Sequence, residues 1–185
     1  MKRNPNSGRT NIIRLVAIFC SKKVIFLLVA TLLSISSCFR VSAQVVKEYN
    51  GMIAQMKASD NADVKAEAIH IESLAFSLLP KVYIENGIES YSGSDPICVN
   101  IDAASVDRLY VSNTAFNKVE LIAIRIKSQS DLNFVLNYSS LQDFQSLKYV
   151  EFLCDFNCDP TLLKSVLSNF PDKGISIFYR VSIDE

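Results

Sequence analysis

The chain has little of what most catalytic sites are made from. Its 185 residues hold one histidine, five glycines and no tryptophan. No G-x-S-x-G, G-x-x-x-x-G-K-[ST], H-E-x-x-H or EF-hand pattern occurs in it, so the sites that these patterns mark are not predicted. His70 lies between Ile69 and Ile71 without a second histidine with which to form a zinc site, and it is predicted to be a partly exposed bystander. We therefore predict no catalytic residue, no cofactor and no metal.

Acidic residues are absent before Glu48, whereas the first 43 residues carry seven lysines and arginines. This positive segment leads into an apolar run from Val24 to Leu33, and the small residues Val41 and Ala43 precede Gln44. Such a pattern is typical of a cleaved signal peptide, and the run is shorter than the roughly 20 apolar residues of a membrane-spanning helix. We predict that residues 1–43 are a signal peptide and that the chain is exported to the periplasm or secreted.

A second processing site competes with the first. The sequence Ile35-Ser36-Ser37-Cys38 resembles a bacterial lipobox, and cleavage there would leave a lipoprotein anchored through Cys38. A short exported chain whose signal ends in VSAQ resembles small exported proteins of Bacteroidota-type Gram-negative bacteria. If Cys38 is the processing site, membrane contact is expected through this lipid anchor only.

Without its first 43 residues the chain keeps 12 basic and 19 acidic residues, a net charge of −7. This acidic balance argues against nucleic acid and against an anionic membrane surface as partners. Three cysteines remain in this part, Cys98, Cys154 and Cys158. In an oxidising compartment Cys154 and Cys158 fit a disulfide if their Cα atoms lie within about 7 Å, whereas a buried free thiol at Cys154 is the alternative.

The remaining 142 residues are enough for one domain with one core. Its first segment, 44–79, is predicted to be helical: apolar residues at steps of three and four indicate a helix from Ala62 to Leu79, stopped by Pro80. Asn86-Gly87 then separates two short β-prone runs and predicts a hairpin with a type I′ turn. Residues 80–185, which begin with this hairpin, are predicted to form one domain together with 44–79.

A strand pattern recurs at a nearly constant interval through the rest of the chain. In LKYVEFLC, residues 147–154, apolar side chains alternate with a mixed set, as in a strand whose two faces differ. The pattern returns 28 positions earlier in VELIAIRI and 27 positions later in GISIFYRV, with a shorter copy in ICVNI at 97–101. Between the copies, residues 103–111, 139–144 and 160–170 are predicted to be helical. We predict an α/β fold with a short parallel sheet of about four strands and right-handed helical crossovers.

The spacing of Leu147, Val150 and Phe152, repeated by Val119, Ile122 and Ile124, resembles the L-x-x-L-x-L core of leucine-rich repeats. The resemblance covers residues 97–181 and implies a strand followed by a helical turn in each repeat. The usual asparagine is replaced by Asp155 in one copy and Lys127 in the other. An ordinary small α/β sheet is the alternative.

The mixed face of the strands offers the candidate binding residues Arg125, Tyr149, Glu151, Phe178 and Arg180, with Glu151 between the two arginines. An exposed face of this kind predicts a non-enzymatic domain that binds a protein or another cell-surface ligand. Two alternatives remain open. The helix from Ala62 to Leu79 would bury the same face, or carboxylates at the strand ends, Asp102, Asp155 and Asp159, would serve an enzyme of unfamiliar type or an accessory factor.

Overall fold

The computed structural model describes residues 45–171 and 174–182. The chain divides between Ser42 and Ala43 into two units, and every described residue belongs to the second. The predicted signal peptide, with Cys38 and the Ala43-Gln44 cleavage site, lies outside the described residues. Within them, none of the helices is both long and apolar enough to cross a membrane.

The domain has an α/β fold built on a mostly parallel sheet of seven strands, where about four were expected. In spatial order the strands are β1 (Val46–Glu48), β9 (Ser176–Val181), β7 (Tyr149–Cys154), β5 (Leu121–Ile126), β4 (Cys98–Asp102), β2 (Lys81–Glu85) and β3 (Ile88–Tyr91). All neighbours pair in parallel except β2 and β3. Two further short strands, β6 (Leu136–Asn137) and β8 (Leu167–Ser168), form a separate parallel pair.

The four strands of the repeat, β4, β5, β7 and β9, lie side by side in chain order. Ile122 is aligned with Val150, and Val150 with Ile177, so equivalent positions of successive repeats are register partners. The period of 28 and 27 residues therefore corresponds to one step across the sheet.

The three additional strands come from segments that the repeat does not include. The hairpin of β2 and β3 turns at Asn86 and Gly87, whose φ angles of 51° and 76° suit a type I′ turn. It joins the main sheet because β2 pairs with β4. At the opposite edge β1, where no strand was predicted, pairs with β9.

Two helices lie between β1 and the hairpin, α1 (Tyr49–Lys57) and α2 (Ala62–Phe76). The Glu48 side chain accepts hydrogen bonds from the backbone N–H groups of Asn50 and Gly51 in α1, and the Asn61 side chain accepts one from that of Asp63 in α2, as N-cap residues do. The helix predicted to reach Leu79 ends at Phe76, and Ser77 is already extended. The segment 77–79 instead leads into β2.

The helical segments in the crossovers are shorter than predicted, and most of them are 3-10 helices. Over the described residues they contain four 3-10 helices, at Ala103–Tyr110, Thr114–Lys118, Gln129–Asp131 and Tyr138–Ser140. The crossover after β7 holds an α-helix, α3 (Pro160–Ser165), capped by Asp159 but ending before the expected Phe170 because β8 begins at Leu167. The right-handed sense of the crossovers stays a prediction from the general rule for parallel strands.

The sheet has a hydrophobic core on each face. The first core holds the apolar face of the strands and the crossovers; Phe152, Ile124 and Ile177 share it, as the alternation predicts. The second core lies between the mixed face and the helices, where Ile71 and Leu74 of α2 join Leu121 and Tyr149 of the sheet. The domain therefore has three layers, with the sheet in the middle.

Candidate functional site

Helices α1 and α2 cover the amino-terminal half of the mixed sheet face, which we call the covered half. Tyr149 is 4% exposed and Phe178 is fully buried. The Phe178 ring lies 5.6 Å from the ring of Tyr49 in α1, and the Tyr149 hydroxyl is 3.4 Å from the carboxylate of Glu67 in α2. The structure thus has the covered arrangement here, and Tyr149 and Phe178 are core residues, contrary to the expectation that they form an exposed binding face.

Glu151 and Arg180 form an ion pair at the border of the covered half, in which Glu151 is buried and Arg180 is partly buried. Arg180 Nε donates a hydrogen bond of 3.1 Å to Glu151 Oε1, and the Glu151 side chain is 1% exposed. The Arg180 guanidinium also lies 4.4 Å from the ring centroid of Phe76 and 5.6 Å from that of Tyr49, within reach of cation–π attraction. Burial raises the pKa of Glu151, and the neighbouring Arg180 opposes that rise. The pair joins the sheet to both helices.

Arg125 belongs to the other half of the face, near the carboxyl ends of the strands, which we call the open half. Its side chain is 57% exposed, and its Nε donates a 3.0 Å hydrogen bond to Asp155 Oδ2. The predicted arrangement of Glu151 between two arginines is therefore half formed, since Glu151 pairs with Arg180 and Arg125 pairs with Asp155. Of the five candidate binding residues, Arg125 is the one that the structure leaves on an open surface.

The open half contains a pocket of about 330 Å³ at the carboxyl ends of β2, β4 and β5. This volume lies at the lower end of the range of small-ligand pockets, roughly 300 to 1,000 Å³. Most of its lining is polar or charged: Glu85, Asn86, Asn100, Asp102, Arg125 and Lys127. The apolar part of the lining is supplied by Tyr83, Ile101, Ala123 and Leu153.

Charges of opposite sign lie on opposite sides of this pocket. Glu85 and Asp102 end strands β2 and β4, whereas Arg125 belongs to β5 and Lys127 follows it directly. Asp102 and Arg125 are register partners on neighbouring strands. Within the described chain they form no ion pair with each other, because Asp102 Oδ2 accepts a 2.8 Å hydrogen bond from the Asn86 backbone N–H and Arg125 pairs with Asp155. Asp102 and Arg125 are thus opposite charges on neighbouring strands that do not pair with each other.

Asp102 also carries one of two buried polar side-chain atoms that lack a hydrogen-bond partner in the described residues. Its Oδ1 is buried and unpaired, and the residue lines the pocket. An unsatisfied buried carboxylate oxygen costs free energy unless a ligand or water completes its hydrogen bonding. The other such atom, the Tyr49 hydroxyl, belongs to the second core.

Sequence reasoning placed Arg125 on this surface but missed Tyr83 and Asn100. The signal for Asn100 is present, because it alternates with Val99 and Ile101 and therefore shares the mixed face. Tyr83 and Glu85 become visible only once the hairpin is added to the sheet beside β4. The register of that pairing, Tyr83 with Asn100, brings the two side chains to one pocket.

The carboxylates considered for enzymatic chemistry have separate partners. Asp155 is bound to Arg125, and the Asp159 side chain accepts a 2.7 Å hydrogen bond from the Thr161 backbone N–H, as a helix cap does. Of the three, Asp102 alone is part of the pocket lining. In the ranges 45–171 and 174–182 there is no cluster of three or more histidine, cysteine or acidic side chains that would hold a metal ion.

The single histidine links a helix to a strand end. His70 Nε2 of α2 lies 2.8 Å from Glu120 Oε2, and Lys148 Nζ donates to the same oxygen at 3.0 Å. Partial burial of Glu120 acts to raise its pKa, but the hydrogen bonds of His70 and Lys148 outweigh it, so the pKa of Glu120 is lowered. This cluster lies just before β5, at the opposite end of the strand from the pocket.

The structure pairs Cys154 and Cys158 as a disulfide, with their Cα atoms 6.3 Å apart. It closes the turn after β7, next to Asp155, the partner of Arg125. Cys98 is a free, buried thiol, and burial raises its pKa to about 11. A thiol in such surroundings is chemically inert.

Comparison with known proteins adds no relative from which a role could be transferred. No protein-family model, curated protein or solved structure matches the chain.

Proposed function

We propose that the chain is an exported, non-enzymatic interaction domain that binds its ligand through the open half of the mixed sheet face. One observation carries the proposal: the pocket lined by Tyr83, Asn100 and Arg125 brings acidic and basic side chains together, and in the described chain no ion pair joins the two sets across it. In ligand pockets, amides and charged side chains of this kind fix the orientation of the ligand and provide specificity.

The positions of α1 and α2 support a site in the open half, because these helices bury the other half of the sheet face. Tyr149, Phe178 and Glu151 are buried under α1 and α2, so these side chains serve folding. Binding anchors have to be reachable, and Tyr83 and Arg125 are. The proposed site is therefore shifted along the strands, from their amino ends to their carboxyl ends.

The leucine-rich-repeat-like character of the domain is part of the proposal. Its support is the strand order, in which β4, β5, β7 and β9 follow each other across the sheet at nearly constant spacing, joined by short 3-10 or helical turns. Stacked repeats of this kind present one row of strand side chains as an extended binding surface. Here the hairpin extends that surface by one parallel strand, β2.

Export through a signal peptide ending at Ala43 is proposed from the charge and apolar pattern of residues 1–43. The pairing of Cys154 with Cys158 suits an oxidising compartment. Intact mass of the protein purified from its native compartment tests this. We expect a chain beginning at Gln44, and a diacylated species beginning at Cys38 would replace the proposed cleavage site by lipoprotein processing. A mass that includes residue 1 would contradict export by cleavage altogether.

The enzymatic alternative rests on Asp102. It lines a pocket at the carboxyl ends of parallel strands, where α/β sheets bind ligands, and its Oδ1 is unpaired. Asp155 and Asp159, which would have to assist it, have other partners. We therefore place the enzyme or accessory-factor role second.

A capture experiment with matched variants tests the binding site. The immobilised mature domain is exposed to an extract of the compartment in which the protein is found, and the captured material is quantified for wild type, Arg125→Glu and Lys164→Glu. Lys164 is exposed on α3, so its substitution makes the same change of charge away from the pocket. We expect loss of capture with Arg125→Glu alone. Equal capture by both variants would contradict the proposed site.

A further inference from the structure

The pocket of the open half is bipolar: its acidic groups lie on one side and its basic groups on the other. Glu85 and Asp102 end β2 and β4, and Arg125 and Lys127 lie on or directly after β5. Neighbouring strands are about 4.8 Å apart, so the two sides are separated by roughly 5 to 10 Å. A ligand of a single charge would meet repulsion from one of the two sides.

Each side keeps binding capacity that the protein does not use. Arg125 engages Asp155 through Nε, which leaves its terminal guanidinium nitrogens as donors for a carboxylate. Asp102 engages the Asn86 backbone through Oδ2, and its Oδ1 is buried with no partner in the described chain. The two residues are register partners, yet each is turned to a different neighbour. A ligand between them would meet the negative charge of the Asp102 carboxylate on one side and the terminal guanidinium nitrogens of Arg125 on the other.

From this arrangement we infer that the pocket binds a zwitterion, and specifically a short peptide whose terminal ammonium and carboxylate are both free. The ammonium group faces Asp102 and Glu85, and the carboxylate faces Arg125 and Lys127. Two extended residues span about 7 Å, which lies within the separation of the two sides. Tyr83 and Leu153 supply apolar surface for the side chains of the peptide. This inference rests on the proposed function, because it names the ligand class of the same site.

A neutral ligand of similar size fits the charge pattern less well. A sugar would offer hydroxyl groups to Asp102 Oδ1 and Asn100, but it would desolvate the separated charges without compensating either of them. A zwitterion supplies the missing opposite charge on both sides, through charge-assisted hydrogen bonds. A neutral disaccharide is therefore the competing probe in the test.

The test is a titration of the mature domain, followed through its backbone amide NMR resonances. The probes are unblocked dialanine, its N-acetylated form, its C-terminal amide, and a neutral disaccharide. We expect unblocked dialanine to shift the resonances of Asn100, Asp102 and Ala123, and we expect either blocking group to weaken its binding at least ten-fold. Equal binding of blocked and unblocked peptides, binding of the disaccharide alone, or no shift with any peptide would overturn the inference.

Two variants assign the ends of the peptide. Asp102→Asn keeps an oxygen for the Asn86 N–H but removes the charge, and it should abolish the preference for a free amino terminus alone. Arg125→Gln should abolish the preference for a free carboxylate alone. Loss of both preferences in either variant would contradict the proposed orientation, and the spread of the amide resonances reports whether each variant is folded.

Failure of this inference is distinguishable from failure of the proposed function. The capture comparison of Arg125→Glu with Lys164→Glu uses no peptide. If capture depends on Arg125 while dialanine leaves the pocket resonances unchanged, the ligand class is wrong and the binding site stands. If both experiments are negative, the open half is not the binding surface.

Discussion

The two halves of the mixed sheet face are built from the same strands but have opposite surroundings. On β7, Tyr149 is packed under the helices, whereas Leu153, four residues further along the same face, borders the open pocket. On β5, Leu121 belongs to the second core and Arg125 is exposed. Alternation along a strand thus assigns a residue to a face, but its position along the strand decides whether that face is core or surface.

The border between the halves lies where α1 begins at Tyr49 and α2 ends at Phe76. Phe76, the last residue of α2, stacks on Arg180, and Arg180 binds the buried Glu151. Beyond this pair the strands carry amides and charges that remain accessible. The ion pair of Glu151 and Arg180 therefore lies between the second hydrophobic core and the open half of the face.

The largest expected effect comes from replacing Tyr149 and Phe178 together by serine. Loss of one buried aromatic side chain costs about 3 to 5 kcal/mol, and domains are stable by only about 5 to 15 kcal/mol, so we expect the double variant to be unfolded or nearly so. Phe152→Ala, on the opposite face, gives the reference cost of a single buried ring. Tyr83→Ser, in the open half, should leave the denaturant midpoint almost unchanged. A double variant as stable as Tyr83→Ser would mean that the helices do not cover the face.

Replacing each arginine by methionine compares how much Arg180 and Arg125 contribute to stability. Arg180→Met leaves Glu151 buried without its partner, which costs about 3 to 5 kcal/mol. Arg125→Met breaks an exposed pair with Asp155, and exposed pairs contribute about 0 to 1 kcal/mol. Equilibrium unfolding in urea measures both. Equal costs for the two variants would remove the distinction between a buried and an open half at this point of the sheet.

Two carboxylates should respond to pH in opposite directions. The pKa of Glu120 is lowered in the folded state, so its contribution to stability is present above the unfolded value of about 4.3 and is lost as the pH falls through the folded value. The pKa of Glu151 is raised by burial, so its contribution is present below about 4.3 and is lost as the pH rises through the folded value.

The stability difference between wild type and Glu120→Gln should therefore grow with rising pH, and that between wild type and Glu151→Gln should shrink. Urea midpoints of the three proteins, measured across the carboxylate range, check both signs. Parallel curves for the two variants would contradict the different environments of Glu120 and Glu151.

Much of the fold could be predicted because the repeat is long and regular. The alternation around Val150 and Phe152 identified the strands and their inner face, and Asn86-Gly87 identified the hairpin. The segments 103–111 and 139–144 were predicted as helices or helical turns and overlap with 3-10 helices, whereas the 3-10 helices at Thr114–Lys118 and Gln129–Asp131 were not predicted. Strand β1 was missed because its three residues carry no pattern of their own and become a strand only by pairing with β9.

The candidate site was harder to predict, because it depends on where separate elements end. Arg125 could be identified from strand alternation alone. Tyr83 required the pairing of β2 with β4, and the burial of Tyr149 and Phe178 required the reach of α1 and α2 over the sheet. Both are properties of tertiary packing that no local pattern of residues contains.

Chemical modification of the tyrosines of the wild-type domain tests the division of the sheet face most directly. Tyr83 in the open half is 37% exposed and Tyr149 in the covered half is 4% exposed, and burial raises the pKa of Tyr149 to about 12, which further reduces its reactive phenolate. Nitration followed by peptide mass spectrometry should therefore modify Tyr83 and spare Tyr149 until the domain is denatured. Modification of Tyr149 as fast as Tyr83 in the folded protein would contradict the account.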